Sequence, residues 1–408
     1  MQEELSQTRG SRVRARDLGI TIGRLAPGPW NAITDVPGVK VGHTTLIEGE
    51  GPLVVGQGPV RTGVTVVLPH EGNIGADPVF ASYHVLNGNG EMTGLVWLEE
   101  SGTLTTPIAI TNTHSVGVVH DALIAYDALH GDSAYESMWS LPVVAETYDG
   151  FLNDINGFHV TPEHVFAALD SAASGPVAEG NVGGGTGMMA HGFKGGIGTA
   201  SRVVPYSWPP RRPAQTLLPG VSEAEAERGW TVGVLVQANY GQRALLRIDG
   251  VPVGEAIPAS AVPTPVMSAP PPGTGSIIVV VATDAPLLPR QCRKLAQRAA
   301  LGIGRMGGLG ENSSGDILLA FATGNRGLGE RLPAGQALAV KMLPHSALNG
   351  LFEAVVEATE EAIVNALCMA ETMTGRDGHT AHALPLDRLQ EVMRQYGRHN
   401  VIVSSEAL

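Results

Sequence analysis

The sequence predicts a mixed α/β fold built around a large apolar core. Strand-like and helix-like segments alternate along the 408 residues, and no unit repeats. Hydrophobic residues make up 43% of the chain and charged residues only 16%, which is typical of a globular protein rather than a disordered one. The 53 glycines indicate many close backbone approaches. Length alone allows two or three average domains or one large α/β unit.

Charge and cysteine content exclude several classes of function. The formal net charge is −13, whereas nucleic-acid binding requires a basic face, so we expect no nucleic acid and instead small, neutral or cationic substrates. Cys292 and Cys368 cannot build a disulfide framework or a four-cysteine zinc site, and their helical contexts indicate buried thiols. The first seventeen residues lack the apolar core of a secretory signal, and nowhere do eighteen apolar residues run together. We therefore expect a soluble, cytoplasmic protein with no membrane partner.

In the first half of the chain, β-branched runs alternate with turn residues and with two helical patterns. After a polar tail that we expect to fray, the pattern predicts strands at 30–43, 62–69, 95–98, 108–111 and 142–147. Asp77 as N-cap and Pro78 at the first helical position predict a helix through Val85. Apolar residues at helical spacing predict a second helix between Val116 and Tyr126.

A glycine-rich tract at 180–198 could be mistaken for a phosphate-binding loop. It lacks the Gly-Lys-Ser/Thr spacing, and it does not lie between a strand and a helix followed by a ribose-binding acid, so we expect hairpin backbone packed close to a site. The Pro-, Arg- and Glu-rich segment 205–227 is expected to be a surface excursion.

The second half predicts strands at 231–241, 244–250, 276–284 and 312–322, and helices at 289–303 and 346–374, the latter stopped by Gly375. His379 and His382 are close enough in sequence to share a ligand. No further Cys or His completes a set at metal spacing, so we expect a solvated tail and no metal.

The entrance to the strand at Ser276 is the most informative stretch. Six prolines between Pro258 and Pro272 predict an extended approach, while Gly273 and Gly275 let the backbone turn sharply. A serine held between a loose loop and a rigid strand can attack its own preceding carbonyl. The chain would then be cut after Gly275, and Ser276 would gain an α-amino group of unperturbed pKa roughly 7.7–8.0, suited to a general base. The same residues are also compatible with a simple turn that enters a strand.

Three more polar residues lie at strand ends. Glu146 and Tyr148 are separated by one residue, so on an extended backbone both side chains point to the same face of the sheet. An ordinary strand end with solvated polar groups would have the same sequence pattern. Asn239 precedes a glycine-containing turn. Its amide can serve that turn or act as an oxyanion donor.

Taken together, these stretches resemble the family of L-aminopeptidase/D-esterase-amidases and β-peptidyl aminopeptidases, self-processing serine hydrolases with an N-terminal nucleophile. The resemblance spans about residues 18–375. It is carried by the motifs at 31–39, 61–65, 146–150, 180–187, 239–241, 275–276 and 314–316. It implies a four-layer αββα sandwich of the N-terminal-nucleophile-hydrolase type, a homotetramer, and no metal or organic cofactor. One domain spanning 1–408 would be cut into a long piece, 1–275, and a short piece, 276–408, that stay together. The tail at 376–408 has no assigned role.

The resemblance also implies a role for individual residues. Ser276 would be the nucleophile, first against Gly275 and then against substrate, and Ser314 and Asp316 would form a hydrogen-bonded chain that orients it. An unperturbed Asp, at roughly 3.9, is too weak a base for a serine hydroxyl, so Asp316 is expected to orient and to compensate charge while the freed amine or a relay moves the proton.

The remaining implied roles concern the substrate. Asn239, with Tyr148 as a second candidate, would stabilise the tetrahedral oxyanion. Glu146 would bind the substrate's free ammonium, which makes the protein an aminopeptidase. Trp139 is a candidate wall of the side-chain pocket, and a core tryptophan is an equal alternative.

Three functional hypotheses compete. The first is a self-cleaving serine aminopeptidase acting on small peptides, amides or esters with a free amine, with α- against β-amino preference left open. The second is an ornithine-acetyltransferase-type acyltransferase, which shares the fold but uses a threonine nucleophile where this chain has Ser276. The third is a non-catalytic binding protein that keeps the chain uncut.

Overall fold

The computed structural model describes residues 12–130, 139–206, 229–265, 275–330 and 332–399. Its strands are β1 (Lys40–Glu48), β2 (Val60–Leu68), β3 (Val79–Gly88), β4 (Thr103–Leu104), β5 (Ile108–Asn112), β6 (Val143–Thr147), β7 (Met189–Ala190), β8 (Phe193–Lys194), β9 (Gly196–Pro205), β10 (Gly229–Asn239), β11 (Gly275–Thr283), β12 (Ser314–Ala322), β13 (Met373–Thr374) and β14 (Thr380–Ala381). Its α-helices are α1 (Leu95–Ser101), α2 (Val116–His130), α3 (Pro162–Asp170), α4 (Val253–Ala256), α5 (Pro289–Arg305), α6 (Leu348–Met369) and α7 (Leu386–Gln395).

Two sheets carry the fold. One has four strands in the order β1-β2-β5-β6, and the other has six in the order β4-β3-β12-β11-β10-β9. β11 and β12 are parallel and lie at the centre of the larger sheet, with antiparallel β10 and β3 on either side. The smaller sheet also ends in a parallel pair, β5 and β6.

Side-chain alternation along the strands builds four layers. Ile278 and Val280 of β11 pack with Ile108 and Ile110 of β5 in a core between the two sheets. The alternate residues of β11, such as Val279, join α5 and α6 in a second core. The outer face of the smaller sheet packs on α2 and α3 in a third core. This arrangement confirms the predicted αββα sandwich.

Most strands predicted from β-branched runs are present, as are the predicted helices that correspond to α2, α5 and α6. The helix predicted from Asp77 and Pro78 is wrong, because these residues precede strand β3. Asp77 does not cap a helix: its carboxylate accepts hydrogen bonds from Arg326 Nε at 2.7 Å and from Gly327 N at 2.8 Å. β3 instead pairs along β12 and with β4.

Two predicted strands are also wrong, and the strand predicted at 30–43 is correct only from Lys40, because Ile33–Asp35 forms a 3₁₀ turn. Residues 95–98 belong to α1, which is flanked by Gly94 and Gly102, both in the left-handed conformation (φ 74° and 70°) that favours glycine at a helix end. In the stretch 244–250, Arg243–Leu245 forms a 3₁₀ turn instead of a strand. A short apolar run does not by itself distinguish strand from helix.

The N-terminal segment that the structure describes is packed against the rest of the fold from Arg12 onwards, where Arg12 donates to the carbonyl oxygens of Leu384 and Leu367. Arg16 Nε donates to Glu361 at 2.7 Å, and the fully buried Arg202 donates to Glu361 at 2.6 Å. Asn31 Nδ2 donates to the same carboxylate at 2.5 Å. The motif at 31–39 therefore contributes to a buried ionic network on α6.

The C-terminal residues to 399 are folded, which contradicts the predicted solvated tail. Leu389 and Met393 of α7 are buried in the core around α5 and α6. His379 stacks on Phe151 and its Nδ1 lies 2.9 Å from the Phe151 carbonyl oxygen, while the His382 carbonyl accepts a backbone hydrogen bond at 2.7 Å. α6 ends at Met369, earlier than the predicted stop at Gly375.

Some predictions concern residues outside the described ranges. Most of the excursion at 205–227 and the segment 266–274, which includes Gly273, lie outside the described residues. Over the part of the chain that is described, no three His, Cys, Asp or Glu side chains are grouped so as to hold a metal ion. None of the described helices combines the length and apolar character needed to cross a membrane. Both cysteines are free and buried, as predicted.

Candidate active site

Ser276 lies at the start of β11, in the middle of the larger sheet. It is 5% exposed, and it pairs with Asn239 of β10 on one side and Gly315 of β12 on the other. Alternation places Ser276 on the same sheet face as Ile278, so its side chain is directed toward the smaller sheet. The β-branched run after Ser276 fixes the strand, and the serine therefore occupies a defined position at its end.

The Ser276 hydroxyl contacts the peptide bond between Gly275 and Ser276, which is the bond that we predict it to cut. Its Oγ donates to the Gly275 carbonyl oxygen at 2.7 Å and accepts from the Gly315 N–H at 3.3 Å. A methyl group on Gly275 would lie 2.5 Å from the Asn239 carbonyl oxygen, so only glycine permits this close strand approach. The hydroxyl thus lies within reach of the carbonyl group it would attack.

Ser314 and Asp316 form the predicted hydrogen bond, with Ser314 Oγ donating to Asp316 Oδ1 at 2.6 Å. Burial raises the pKa of Asp316 to about 6, and the Ser314 hydroxyl and the Ile277 N–H offset this effect only in part. The hydrogen bonds of Ser276 Oγ run to its backbone neighbours and not to these two side chains. The bond between Ser314 and Asp316 is thus present, but neither side chain hydrogen-bonds to Ser276 Oγ; Asp316 meets β11 through the Ile277 N–H.

Asp316 and Ser314 also line a cleft on the helix side of the larger sheet. Tyr240, Gln242 and the loop 307–311 complete its wall. Gln242 Nε2 donates to Glu311 at 2.5 Å across this cleft. The carboxylate of Asp316 thus borders a cleft on one side and the start of β11 on the other.

Asn239 has both ends of its side-chain amide fixed. Its Oδ1 accepts from the Met189 N–H at 2.8 Å, and its Nδ2 donates to the Tyr148 carbonyl oxygen at 2.9 Å. Nδ2 carries a second N–H beyond the one used by Tyr148. Because Asn239 lies directly opposite Ser276 in the antiparallel pair, this second N–H is a donor beside the nucleophile.

Tyr148 follows β6 and is 44% exposed. A methyl group on Gly150 would fall 2.4 Å from the Tyr148 hydroxyl oxygen, so the phenol ring folds back over Gly150. Tyr148 contacts Asn239 through its carbonyl oxygen. The structure thus gives this residue a role in orienting the Asn239 amide, and it places the hydroxyl that we predicted as an oxyanion donor above Gly150.

Glu146 is a carboxylate buried at the end of β6, with 3% of its surface exposed. Its Oε1 accepts from the Glu91 N–H at 3.0 Å, and its Oε2 accepts from the Thr113 hydroxyl. Burial raises its pKa, and these hydrogen bonds lower it by less. Within the described residues, no Lys, Arg or His side chain forms an ion pair with it. A buried carboxylate without a cation is suited to receive the ammonium of a ligand.

Gly90 connects Glu146 with the nucleophile. A methyl group at this position would lie 3.1 Å from Glu146 Oε1 and 3.1 Å from Gly315 Cα. Glu146 therefore lies just across Gly90 from the strand partner of Ser276. The loop after β3 fills the space between the two sheets at this edge and brings the predicted amine-binding acid close to the predicted nucleophile.

Trp139 is 61% exposed, so the alternative of a core tryptophan is wrong. Its ring packs edge-on against Trp97 of α1, with 4.8 Å between centroids and an interplanar angle of 79°. α1 follows the loop that contains Gly90, so the tryptophan pair adjoins this loop. The contact described for the Trp139 ring is to Trp97, not to Ser276 or Glu146.

Sequence reasoning missed four residues that shape the site: Gly90, Glu91, Thr113 and Met189. The helix wrongly predicted from Asp77 through Val85 ends before Gly90, and Thr113 lies between a predicted strand and a predicted helix, so the sequence placed neither residue near the acid. The glycine tract at 180–198 does pack close to the site, as predicted, because the Met189 N–H binds Asn239. β7 and β8 form the expected hairpin within this tract.

Comparison with known proteins covers all of these positions. A family model described as Peptidase family S58 matches residues 31–381. Beta-peptidyl aminopeptidase BapA of Sphingosinicella microcystinivorans is 51% identical over 393 residues, 94% of this chain and 93% of that protein.

Solved structures agree with this match. A Burkholderia sp. beta-aminopeptidase superposes with a TM-score of 0.82 at 51% identity, covering 94% of this chain and 99% of its own. The l-aminopeptidase d-ala-esterase/amidase from Ochrobactrum anthropi superposes with a TM-score of 0.81 at 46% identity, covering 95% and 99%. It is described as a prototype for the serine aminopeptidases and a new variant among the Ntn hydrolase fold. Both similarities extend over nearly the whole chain.

Proposed function

The chain belongs to peptidase family S58, and on this premise we propose that it is a serine aminopeptidase that activates itself by cutting the bond between Gly275 and Ser276. The observation that carries the proposal is the position of Ser276 Oγ, 2.7 Å from the Gly275 carbonyl oxygen and opposite Asn239 at the start of β11. A hydroxyl in this place can serve first as the agent of cleavage and then as the nucleophile for substrate.

The first reaction is an acyl shift followed by hydrolysis. Ser276 Oγ attacks the Gly275 carbonyl carbon and gives its proton to the amide nitrogen, so the peptide bond becomes an ester. Water then cleaves the ester, leaving a carboxylate on Gly275, the free hydroxyl of Ser276 and a free α-amino group on the same residue. The products are the pieces 1–275 and 276–408.

The second reaction is hydrolysis of a substrate with a free amine. Glu146 binds the ammonium, Ser276 attacks the scissile carbonyl, and Asn239 Nδ2 donates to the oxyanion. Loss of one such donor typically costs about 2.7–4 kcal/mol of transition-state stabilisation. The freed amine of Ser276 has an unperturbed pKa near neutrality and takes the hydroxyl proton, while Asp316, with Ser314, orients the strand start and compensates charge. The protonated amine then gives this proton to the leaving amine or alcohol, which departs as the acyl-enzyme ester forms. Water hydrolyses that ester, which releases the acid and restores the Ser276 hydroxyl.

We propose small peptides, amides and esters as substrates, with N-terminal β-amino residues accepted. The support is the similarity, at 51% identity, to proteins named for β-aminopeptidase activity. Parallel kcat/KM measurements on anilides of a β-amino acid and of its α-isomer test this preference. An acyltransferase would turn over acetylornithine, and nothing in the geometry favours that activity.

Intact-mass measurement of the purified protein beside a Ser276→Ala variant tests the proposal. We expect two fragments from the natural chain, with the short one beginning at Ser276, and one full-length, inactive chain from the variant. Full activity on free-amine substrates from an uncut chain, or cleavage of the variant at the same bond, would contradict it.

The homotetramer and the cytoplasmic location stay predictions from the sequence. Sedimentation velocity on the processed enzyme tests the first, with an expected mass of about four chains of 42.4 kDa.

A further inference from the structure

Lys194 is a fully buried cation close to the site that the proposed chemistry does not use. It belongs to β8, and its ammonium donates to the carbonyl oxygens of Met188 at 2.7 Å, Gly195 at 2.8 Å and Gly185 at 3.4 Å. No carboxylate forms an ion pair with it among the described residues. Burial lowers its pKa to about 7. An unpaired buried ammonium is costly, so its presence needs an explanation.

One peptide group joins this ammonium to the proposed oxyanion donor. The carbonyl of the Met188–Met189 peptide accepts from Lys194 Nζ, and the N–H of the same peptide donates to Asn239 Oδ1 at 2.8 Å. A peptide group is planar and rigid, so fixing its carbonyl also fixes the direction of its N–H. A charge-assisted bond at the carbonyl polarises the group and strengthens the N–H as a donor.

The Asn239 side-chain amide can donate to an oxyanion in only one of its two orientations. With Oδ1 on the Met189 N–H, Nδ2 is directed to Tyr148 and its second hydrogen is available beside Ser276. If the Met188–Met189 peptide turned, Oδ1 would lose its donor and the amide could rotate. A carbonyl oxygen in place of the N–H would then repel the developing oxyanion.

We propose that Lys194 is a positioning residue for catalysis, acting through the Met188–Met189 peptide to hold the Asn239 amide in its oxyanion-binding orientation. The inference rests on the proposed role of Asn239. It predicts that loss of the Lys194 ammonium lowers kcat and leaves KM nearly unchanged, because ammonium binding at Glu146 lies on the other sheet.

Arg243 provides a matched control. It is also a buried cation, and its pKa is likewise lowered by burial, to about 10. It donates to the carbonyl oxygens of His191, Gly192, Ile257 and Val262 and lies over the Phe193 ring. None of these bonds reaches Met188 or Asn239, so removing Arg243 tests the loss of a buried cation without loss of the peptide link.

The experiment compares Lys194→Met with Arg243→Met, with kcat and KM expressed per cleaved, titrated active site. For Lys194→Met we expect kcat to fall roughly 10–100-fold, part of the 10²–10³ typical of a lost oxyanion donor, with KM within about threefold. For Arg243→Met we expect kcat within about threefold even where the melting temperature falls. An unchanged kcat in Lys194→Met, or equal losses in both variants, would overturn the proposal.

A double-mutant cycle with Asn239→Ala separates this inference from the proposed function. In the Asn239→Ala background, Lys194→Met should have no further effect on kcat, and full additivity of the two losses would refute the link. If Asn239→Ala alone keeps the natural kcat, the oxyanion assignment itself fails. Should Lys194→Met not fold, Lys194→Gln takes its place in the same cycle. It can keep an N–H donor but loses the charge, so we expect a smaller fall in kcat that is again absent in the Asn239→Ala background, and an unchanged kcat would overturn the proposal.

Discussion

Replacement of Glu146 by Gln removes one charge from the site and preserves its shape. Glu146 is 3% exposed and accepts two hydrogen bonds, one on each carboxylate oxygen. In the variant, the amide oxygen can keep the bond from the Glu91 N–H, and the Thr113 hydroxyl can reverse and accept from the new NH₂ group. The substitution therefore measures charge with little change in packing.

The expected loss follows from the burial of this charge. Truncating one partner of a buried, hydrogen-bonded charge pair costs 2–5 kcal/mol or more, and because the isosteric amide leaves nothing unpaired we expect about 2–3 kcal/mol. This corresponds to a fall of roughly 30–150-fold in kcat/KM for substrates with a free ammonium, expressed mainly in KM. Self-cleavage needs no ammonium, so maturation should proceed normally.

The assay measures kcat/KM on an amino-acid anilide and on its N-acetyl analogue, with Glu71→Gln, at an exposed surface position, as the control. Because burial raises the pKa of Glu146, protonation should raise KM as the pH falls toward that value, and the Glu146→Gln enzyme should lack this dependence. A kcat/KM within threefold of the natural enzyme, or equal hydrolysis of the acetylated analogue, would refute the ammonium-binding role.

Three further predictions concern charge and space around the site. Because burial raises the pKa of Asp316 to about 6, kcat should show a second fall as the pH drops through that value, below the fall caused by protonation of the Ser276 amine at its ordinary pKa of roughly 7.7–8.0. Asp316→Asn should be slow and should lack the lower fall; a natural profile without a second fall between about pH 7 and 5 would contradict this. Gly90→Ala should lower kcat/KM about tenfold in folded, cleaved enzyme, because its methyl group would crowd the Glu146 carboxylate. Gly304→Ala is the control and should keep full activity, since no atom lies within 4 Å of the added methyl group. Equal effects of the two substitutions would exclude the steric argument. Burial raises the pKa of Asp149 from 3.8 to about 7, so between these values the folded state keeps a proton that the unfolded chain loses. The free energy of unfolding should therefore fall as the pH rises from about 4 to 7. Urea titrations should show a flatter pH dependence of this free energy for Asp149→Asn.

The sequence was sufficient to predict the local structure of residues whose conformation is determined by their neighbours along the chain. Ser276 is one, because the β-branched run after it specifies a buried strand without help from distant residues. The strand ends at Glu146 and Asn239 could be located in the same way. Their functional roles came from the resemblance, since an acid or an amide at a strand end has no distinctive local pattern.

Features that depend on distant contacts could not be predicted. Asp77 has the sequence of a helix cap, but its carboxylate binds Arg326 and Gly327, about 250 positions away. Gly90 meets Glu146 only because the two sheets stack and the loop after β3 falls between them. Lys194 reaches Asn239 through a peptide group that no spacing rule indicates. In each case tertiary packing decides the local structure.

Self-cleavage would separate the nucleophile from most of the chain, and the fold explains how the pieces can stay joined. The six-stranded sheet interleaves them: β11 and β12 of the short piece lie between β10 and β3 of the long piece. The ladder between β11 and β10 is continuous, and the ladder between β12 and β3 has one register shift, between Asp316 and Ile317. The carboxylate of Glu361, on α6 of the short piece, binds Arg16 and Arg202 of the long piece, and neither Glu361 nor Arg202 is exposed. Breaking one partner of such a pair leaves an uncompensated buried charge, at a cost of about 3–5 kcal/mol. Since the cut falls between the first two residues of β11, the strand pairs from Ser276 onwards and these ion pairs can stay in place while the Ser276 amine is freed.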